Sequence, residues 1–266
     1  MSQVGVWWRQ SKEEPCQQAQ ALAAQLHLPL TENFNQYPLS LVQLEGGRWG
    51  LHCRELPQAK PLVIDFLQGD WKRRRTQVKG SGDVLSKALG SKAKGRKAVD
   101  ATAGLGRDSL HLLALGFEVV AIEQSAVLAF LSLEALSAAL AQEGQDSELN
   151  FLKIVHADAR HYLKKLYDEK VLADVIFLDP MFPQKKKSAL SGKEMQIFHY
   201  LFKHQPQVER ELLKIALDVV ADRVVVKRPL AALPVCLGAR HQYRGKSVRY
   251  DVYFPGDLLT VPEGYM

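Results

Sequence analysis

Hydrophobic residues in this chain occur in two patterns, one typical of β-strands and one typical of α-helices. The alternation of these patterns along the chain predicts the positions of the strands and helices. From about residue 97 onward, short apolar runs alternate with longer segments whose apolar residues recur at helical spacing. Such alternation is typical of a parallel sheet with helices on both faces. The predicted strands are residues 97–101, 118–123, 151–155, 174–178 and 223–226. The predicted helices are residues 83–89, 125–142, 160–169 and 207–220, with a further helix from Asp108.

The end of the chain has the pattern of an antiparallel hairpin. Residues 240–254 form two strand-like runs on either side of a turn at Gly245. Parallel strands followed by a terminal antiparallel hairpin are the layout of class I methyltransferases. We therefore predict an α/β fold, with a Rossmann-like, doubly wound, mostly parallel sheet of seven strands that ends in this hairpin.

The first part of the chain has a different pattern. A short helix over residues 14–27 is followed by a predicted hairpin over residues 39–53 and a strand over residues 61–66. Residues 68–82 are basic and punctuated by glycine, which is typical of a junction. We therefore predict a small α+β domain over residues 1–75 and a methyltransferase domain over residues 76–266.

The distribution of charge along the chain indicates a nucleic acid as a candidate partner. The 266 residues carry a net charge of +6, but residues 72–97 contain ten Lys or Arg and a single acid, Asp83. A local basic cluster is typical of a protein that binds a phosphate backbone, although a solvated linker would have the same composition. The residues that we predict to bind nucleic acid here are Lys72, Arg73, Arg74 and Arg75.

Cysteine usage and hydropathy limit the class of protein. Cys16, Cys53 and Cys236 are far apart and form no C-x-x-C pair, which argues against a disulfide framework or a zinc ribbon. We see no export signal and no apolar run of the roughly 18–20 residues that a membrane span needs. The sequence therefore predicts a cytoplasmic protein with no membrane association and no metal site, and it leaves the oligomeric state open.

A glycine-rich turn joins the first predicted strand of the sheet to the helix that follows. Residues 99–108 read VDATAGLGRD, and Glu123 ends the next strand, 17 residues after Gly106. Glycines let the backbone approach a ligand closely, and an acid at this place accepts hydrogen bonds from ribose hydroxyls. The segment therefore predicts a bound nucleoside, with candidate residues Asp100, Gly104, Gly106 and Glu123.

A second candidate site follows the strand over residues 174–178. Asp179-Pro180-Met181-Phe182 suits the methylation of an exocyclic amine, because Asp179 can accept its N–H bonds and Phe182 can stack on the base. A plain turn after a strand is the alternative for this motif. We predict that Asp179, Pro180 and Phe182 are catalytic. The nearby basic residues that could hold a phosphate are Lys185, Lys186, Lys187, Lys227 and Arg228.

These motifs together closely resemble the RsmJ family of bacterial 16S ribosomal RNA guanine-N2 methyltransferases. The resemblance covers about residues 60–254, and its strongest parts are residues 99–108, 178–183 and 224–229. It implies S-adenosylmethionine (SAM) as the methyl donor and 16S rRNA or the small ribosomal subunit as the partner. It also implies cofactor contacts at Arg107, Asp108, Glu123, Gln124, Asp158, Ala159 and Asp179.

Other functions remain open at this stage. The turn at Asp179 also occurs in adenine-N6 and protein-amide methyltransferases, although the basic cluster favours nucleic acid. A nicotinamide-dependent dehydrogenase is a third possibility, but Ser109 stands where the third glycine of G-x-G-x-x-G is expected. A non-catalytic RNA-binding assembly protein on the same fold is a fourth. We favour the rRNA guanine-N2 methyltransferase.

Overall fold

In a computed structural model the chain forms two compact units. The structure describes residues 3–8, 17–76, 83–90, 93–180, 193–202 and 209–260. The first unit contains Met1–Ile64 and Pro183–Pro206. The second unit contains Asp65–Phe182 and Gln207–Met266. Each unit has its own sheet.

The first unit is built on a small mixed sheet. Its elements are β1 (Val4–Trp7), α1 (Gln17–Leu26), β2 (Leu30–Thr31), β3 (Leu39–Gln43), β4 (Trp49–Cys53) and α7 (Lys193–Phe202). The strand order is β2–β1–β3–β4, with β1 parallel to both neighbours and β3 antiparallel to β4. The hairpin predicted over residues 39–53 is thereby confirmed, and its turn includes Gly46 at a φ of 79°.

The strand predicted over residues 61–66 is wrong. Only Leu62 pairs, through a single bridge with Leu51. The preceding residue, Pro61, has no N–H and cannot extend a ladder. Leu62, Ile64 and Phe66 are buried, so the apolar pattern of this segment reflects core packing in an irregular segment and not a strand.

The second unit has the predicted seven-stranded sheet. Its helices are α2 (Gly69–Thr76), α3 (Val84–Leu89), α4 (Arg107–Ala114), α5 (Ala126–Glu143), α6 (Ala159–Asp168) and α8 (Glu209–Asp218). Its strands are β5 (Lys97–Asp100), β6 (Glu118–Glu123), β7 (Leu152–His156), β8 (Ala173–Leu178), β9 (Val220–Pro229), β10 (His241–Arg244) and β11 (Val248–Tyr253). The order is β10–β11–β9–β8–β5–β6–β7, in which β11 is antiparallel to both β10 and β9 and the other pairs are parallel. The fold class is confirmed.

Helix starts in this unit follow the capping residues of the sequence. The side chains of Asp83, Ser125 and Asp158 accept backbone N–H bonds at the starts of α3, α5 and α6. Among the described residues, α5 is the one helix that is long and apolar enough to cross a membrane. It packs against β6 and β7, and eight of its residues are buried in the unit.

The boundary between the units differs from the predicted boundary between residues 75 and 76. It falls between Ile64 and Asp65, and Pro183–Pro206 joins the first unit, where α7 packs on β4. The basic segment predicted as a junction contains helix α2. Trp71 is the only large apolar residue of α2, so the sequence of this helix shows little helical periodicity. The helix is instead held to the second unit by contacts such as the Trp71 indole N–H, which donates to the Leu105 carbonyl oxygen at 2.7 Å.

Candidate active site

The candidate site lies at the carboxyl ends of the central strands of the second unit. Strand β5 has β6 on one side and β8 on the other, so the connections leave β5 in opposite directions. In open α/β sheets such a reversal opens a crevice beyond the strand ends, where ligands bind. The glycine turn follows β5, Glu123 ends β6, and Asp179 follows β8.

Asp100 fixes the start of the glycine turn from inside the fold. Its side chain is 1% exposed. One carboxylate oxygen accepts the Thr102 N–H at 3.1 Å, and the other accepts the Ser109 hydroxyl at 2.6 Å. Burial raises the pKa of Asp100 to about 7, against the opposing hydrogen bond from Ser109. Asp100, predicted to contact the cofactor, therefore contacts the turn and helix α4 in this structure.

Glu123 connects the glycine turn to the start of helix α5. Its carboxylate accepts the Gly104 N–H at 2.8 Å and the Ser125 N–H at 2.6 Å. Gly104 and Gly106 have φ angles of 55° and 75°, a region that favours glycine. Burial raises the pKa of Glu123 to about 7, although both backbone bonds oppose the rise. The Gln124 backbone N–H also bonds to this carboxylate and lowers its pKa. A carboxylate has about four acceptor positions, so about one remains for a further donor.

Asp179 is held beside the glycine turn through its backbone. Its N–H donates to Thr102 Oγ1 at 2.6 Å, which joins the segment after β8 to the segment after β5. Pro180, which follows, is buried. Asp179 Oδ2 lies 2.8 Å from Lys227 Nζ. The strand ends therefore place this carboxylate at the crevice.

Asp108 and Asp179 share one lysine. Lys227 Nζ lies 2.6 Å from Asp108 Oδ2, and Arg74 approaches Asp108 Oδ1 at 3.5 Å. Burial raises the pKa of Asp108, but Lys227, Arg74 and His111 together outweigh burial and hold that pKa below its usual range. Burial also raises the pKa of Asp179, and here Lys227 opposes the rise only in part. Burial lowers the pKa of Lys227, but the two carboxylates outweigh it and raise that pKa.

The other predicted cofactor residues lie around the same sheet edge. The Arg107 guanidinium stacks on the Trp71 ring, with its central carbon 4.7 Å from the ring centroid. Gln124 is exposed after β6. Asp158 caps α6 and forms an ion pair with Arg160 at 2.7 Å, which uses most of its acceptor positions. Ala159 is the first residue of α6.

The basic residues of α2 differ in exposure and in their partners. Lys72 and Arg73 are exposed. Arg75 is largely buried and forms ion pairs with Glu143 and Glu148, so its side chain holds α2 to the fold. Arg74 lies 3.5 Å from Asp108 and forms an ion pair with it.

The two basic residues at the end of β9 also differ from their predicted role. Arg228 is 2% exposed and donates from Nε to the Leu233 carbonyl oxygen at 2.9 Å, so its guanidinium is not part of an exposed phosphate-binding surface. Lys227 lies between carboxylates, as described above. The remaining predictions, Phe182, Lys185, Lys186 and Lys187, lie outside the described residues.

Three residues of the site were missed by sequence reasoning. Thr102 binds the backbone of Asp179, Ser109 binds Asp100, and Trp71 packs against Arg107. Ser109 stands at the third glycine position of a dinucleotide motif, and that substitution was the only signal for its role. Thr102 and Trp71 act through contacts with residues distant in sequence, which no local pattern reveals.

The fold and the sheet-edge geometry define a class I SAM-dependent methyltransferase. Residues 21–255 match the model of a SAM-dependent methyltransferase family. A crystal structure of a SAM-dependent methyltransferase from Neisseria gonorrhoeae is similar over 99% of both chains, with a TM-score of 0.71 and 27% identity.

Named relatives narrow this class. The chain is 38% identical to ribosomal RNA small subunit methyltransferase J from Thioalkalivibrio sulfidiphilus, over 96% of this chain and 100% of the relative. It is 36% identical to the protein of that name from Haemophilus influenzae, over 95% and 96% of the two chains. The chain belongs to this family, the RsmJ family that its motifs resemble.

The residues present at the sheet edge fit SAM. Glu123 keeps an acceptor position for a ribose hydroxyl beyond its backbone bonds, and the positive φ angles of Gly104 and Gly106 allow a close approach of the backbone. Residues 102–104 are partly exposed, so the turn is accessible to a ligand. Asp158 fits less well as an acceptor for the adenine amino group, because Arg160 occupies its carboxylate.

Proposed function

We propose that this protein transfers a methyl group from SAM to the exocyclic N2 amine of a guanosine in 16S rRNA. The relatives are named as methyltransferases of the small-subunit ribosomal RNA, and they align with nearly the whole chain. The observation that carries the proposal is the position of Asp179. Its carboxylate lies at the end of β8, next to the switch point of the sheet, and its backbone is bonded to Thr102.

An acceptor at this place addresses the chemical difficulty of the reaction. An exocyclic amine delocalises its lone pair into the ring and is a poor nucleophile. When SAM is bound, its sulfonium supplies an activated methyl group with a good leaving group. Asp179 accepts an N–H of the amine and thereby directs the nitrogen lone pair toward the methyl group. We expect orientation and exclusion of water to provide most of the rate.

The cofactor side of the proposed site is the glycine turn with Glu123. Glu123 binds the ribose hydroxyls, and Gly104 and Gly106 line the path of the ligand along the turn. Asp108, in the first turn of α4, is joined to the Asp179 side chain through Lys227, and Arg107 precedes it in the same turn. Methyl donor and target amine would therefore meet above β5 and β8.

The RNA surface that we propose includes the exposed residues of α2. Lys72 and Arg73 are exposed on the helix that packs against α4, so they lie near the glycine turn. Phosphate contacts from such residues hold an RNA in register without reading its sequence. Lys185, Lys186 and Lys187 remain candidates for the same role. A ribosomal substrate also implies that the protein acts in the bacterial cytoplasm.

The test is methyl transfer from labelled SAM to rRNA from a strain that lacks this protein, followed by nucleoside analysis. We expect label in N2-methylguanosine of the 16S rRNA. Label in N6-methyladenosine would preserve the reaction class but contradict the base. SAM binding without any transfer, to free rRNA and to purified small subunits, would favour a non-catalytic assembly protein. Protein with the Asp179→Ala substitution is the background control.

A further inference from the structure

Lys227 occupies an unexpected position for a predicted phosphate-binding lysine. Leu178 on β8 pairs with Val226 on β9, so the next residues, Asp179 and Lys227, are neighbours at the sheet edge. The Lys227 side chain is 19% exposed, and its Nζ atom lies within hydrogen-bond distance of both Asp179 and Asp108. One ammonium therefore joins the segment after β8 to the first turn of α4.

The lysine leaves one face of the Asp179 carboxylate available. Among the described residues, Lys227 is the one side chain bonded to that carboxylate, and it contacts Oδ2. No side chain of the described ranges bonds to Oδ1, and we assign this oxygen to an N–H of a ligand in the crevice. A carboxylate fixed at one oxygen and open at the other has a defined direction for its remaining hydrogen bond.

We propose that Lys227 is a positioning residue for methyl transfer, which fixes Asp179 through Oδ2 and offsets the negative charge of the neighbouring Asp108. This inference rests on the proposed function, because it assigns Asp179 the task of accepting the target amine. Lys227 touches neither methyl donor nor RNA in this scheme and acts through the carboxylate.

The charge balance around the pair explains why a cation is needed. Two partly buried carboxylates close to one another disfavour their ionised forms, and a protonated Asp179 would lose its acceptor character. Burial raises the pKa of Asp179, and the Lys227 ammonium is the largest opposing influence. The other titratable and charged groups that face this cluster are Arg74 on α2, Asp83 before α3, Asp100 on β5, His111 on α4 and Tyr250 on β11.

The first test compares Lys227→Met, which removes the charge, with Lys227→Arg, which keeps it. Single-turnover methyl transfer is measured against pH at saturating SAM and rRNA. We expect Lys227→Met to be slower by about tenfold or more at about pH 7 and to recover toward about pH 9, because its Asp179 ionises at higher pH. Lys227→Arg should retain most of the rate. Lys246→Met, in the exposed turn between β10 and β11, is the matched control.

Two results would overturn the inference. A Lys227→Met protein with an unchanged rate constant but weaker RNA binding would make Lys227 a phosphate contact. If the rate of Lys227→Met falls by the same factor at every pH and Lys227→Arg is equally slow, Lys227 contributes only to packing. Thermal unfolding and SAM binding show whether each variant is folded.

A second measurement does not depend on activity. The side-chain carboxyl carbon of Asp179 is titrated by NMR in ligand-free protein labelled at aspartate, with Asp179→Asn used to assign the signal. We expect its titration to move upward by about one pH unit or more in Lys227→Met. An unchanged titration would contradict the inference. If this shift is found but the wild-type protein does not methylate rRNA, the proposed function fails while the role of Lys227 toward Asp179 stands.

Discussion

At the scale of single residues, the site consists of carboxylates with different surroundings. Asp100 and Glu123 are buried and accept backbone N–H bonds, so they shape the glycine turn. Asp108 and Asp179 are paired with Lys227 and face the crevice. Four carboxylates at one sheet edge would repel one another without these partners. These contacts make Asp100 and Glu123 part of the glycine turn, where we propose that Glu123 also binds ribose, and they join Asp108 to Asp179 through Lys227.

We predict that Glu123→Gln weakens SAM binding by about tenfold or more, because an amide has one acceptor oxygen where the carboxylate has two and therefore cannot serve both the backbone N–H groups and the ribose. Isothermal titration calorimetry measures the change. Glu118→Gln, at the exposed opposite end of the same strand, is the control and should bind SAM like the wild type. Equal affinities of both variants would contradict a role of Glu123 in ribose binding.

For Asp179→Ala we predict a folded protein whose methyl-transfer rate falls by about a hundredfold or more, because the target amine loses its oriented acceptor. The rate is measured with labelled SAM and rRNA at saturating concentrations. Asp168→Ala, at the exposed end of α6, serves as the comparison. Turnover like that of the wild type would remove Asp179 from the mechanism.

At the scale of elements, helix α2 shows how one basic segment serves two purposes. Its arginines read as a uniform run in the sequence, but helical geometry points successive side chains in different directions. Arg75 faces Glu143 and Glu148, whereas Lys72 and Arg73 face solvent. The charge of the segment therefore contributes both to packing and to an exposed basic surface.

This division predicts different outcomes for two variants of α2. Lys72→Ala with Arg73→Ala should weaken rRNA binding and reduce the slope of log affinity against log salt by about 0.7 for each RNA phosphate that the variant no longer neutralises. Arg75→Ala should mainly lower the melting temperature, because it leaves two acids without their partner. Filter binding over a salt series and thermal unfolding test both variants. An unchanged salt slope in the double variant would make the exposed residues a solvated surface.

At the scale of the whole molecule, the second unit places the residues of the proposed site on one edge of a continuous sheet. The first unit is assembled from two segments distant in sequence, Met1–Ile64 and Pro183–Pro206. The second of these segments follows the Asp179 turn directly.

Buried carboxyls also give the whole molecule a predicted pH dependence. The pKa of Asp100 is about 7 in the folded protein, well above that of an exposed aspartate. The folded state therefore binds more protons than the unfolded state between about pH 4 and 7, so Asp100 makes the free energy of unfolding fall as pH rises across this range. Asp100→Asn should show a smaller fall in urea unfolding experiments. Parallel curves for the two proteins would contradict the raised pKa.

The sequence by itself determined the succession of strands and helices of the large sheet, the glycine turn and the acids at the strand ends. These features depend on local periodicity and on residue types with strong backbone preferences, such as Gly104 and Ser125. Only the tertiary structure decided that Thr102 binds Asp179, that Lys227 joins two carboxylates, and that Arg228 is buried. It also placed α2 with the second unit. Those outcomes depend on which distant segments meet across the sheet. The sequence does not distinguish a charged side chain that faces water from one that faces a buried partner.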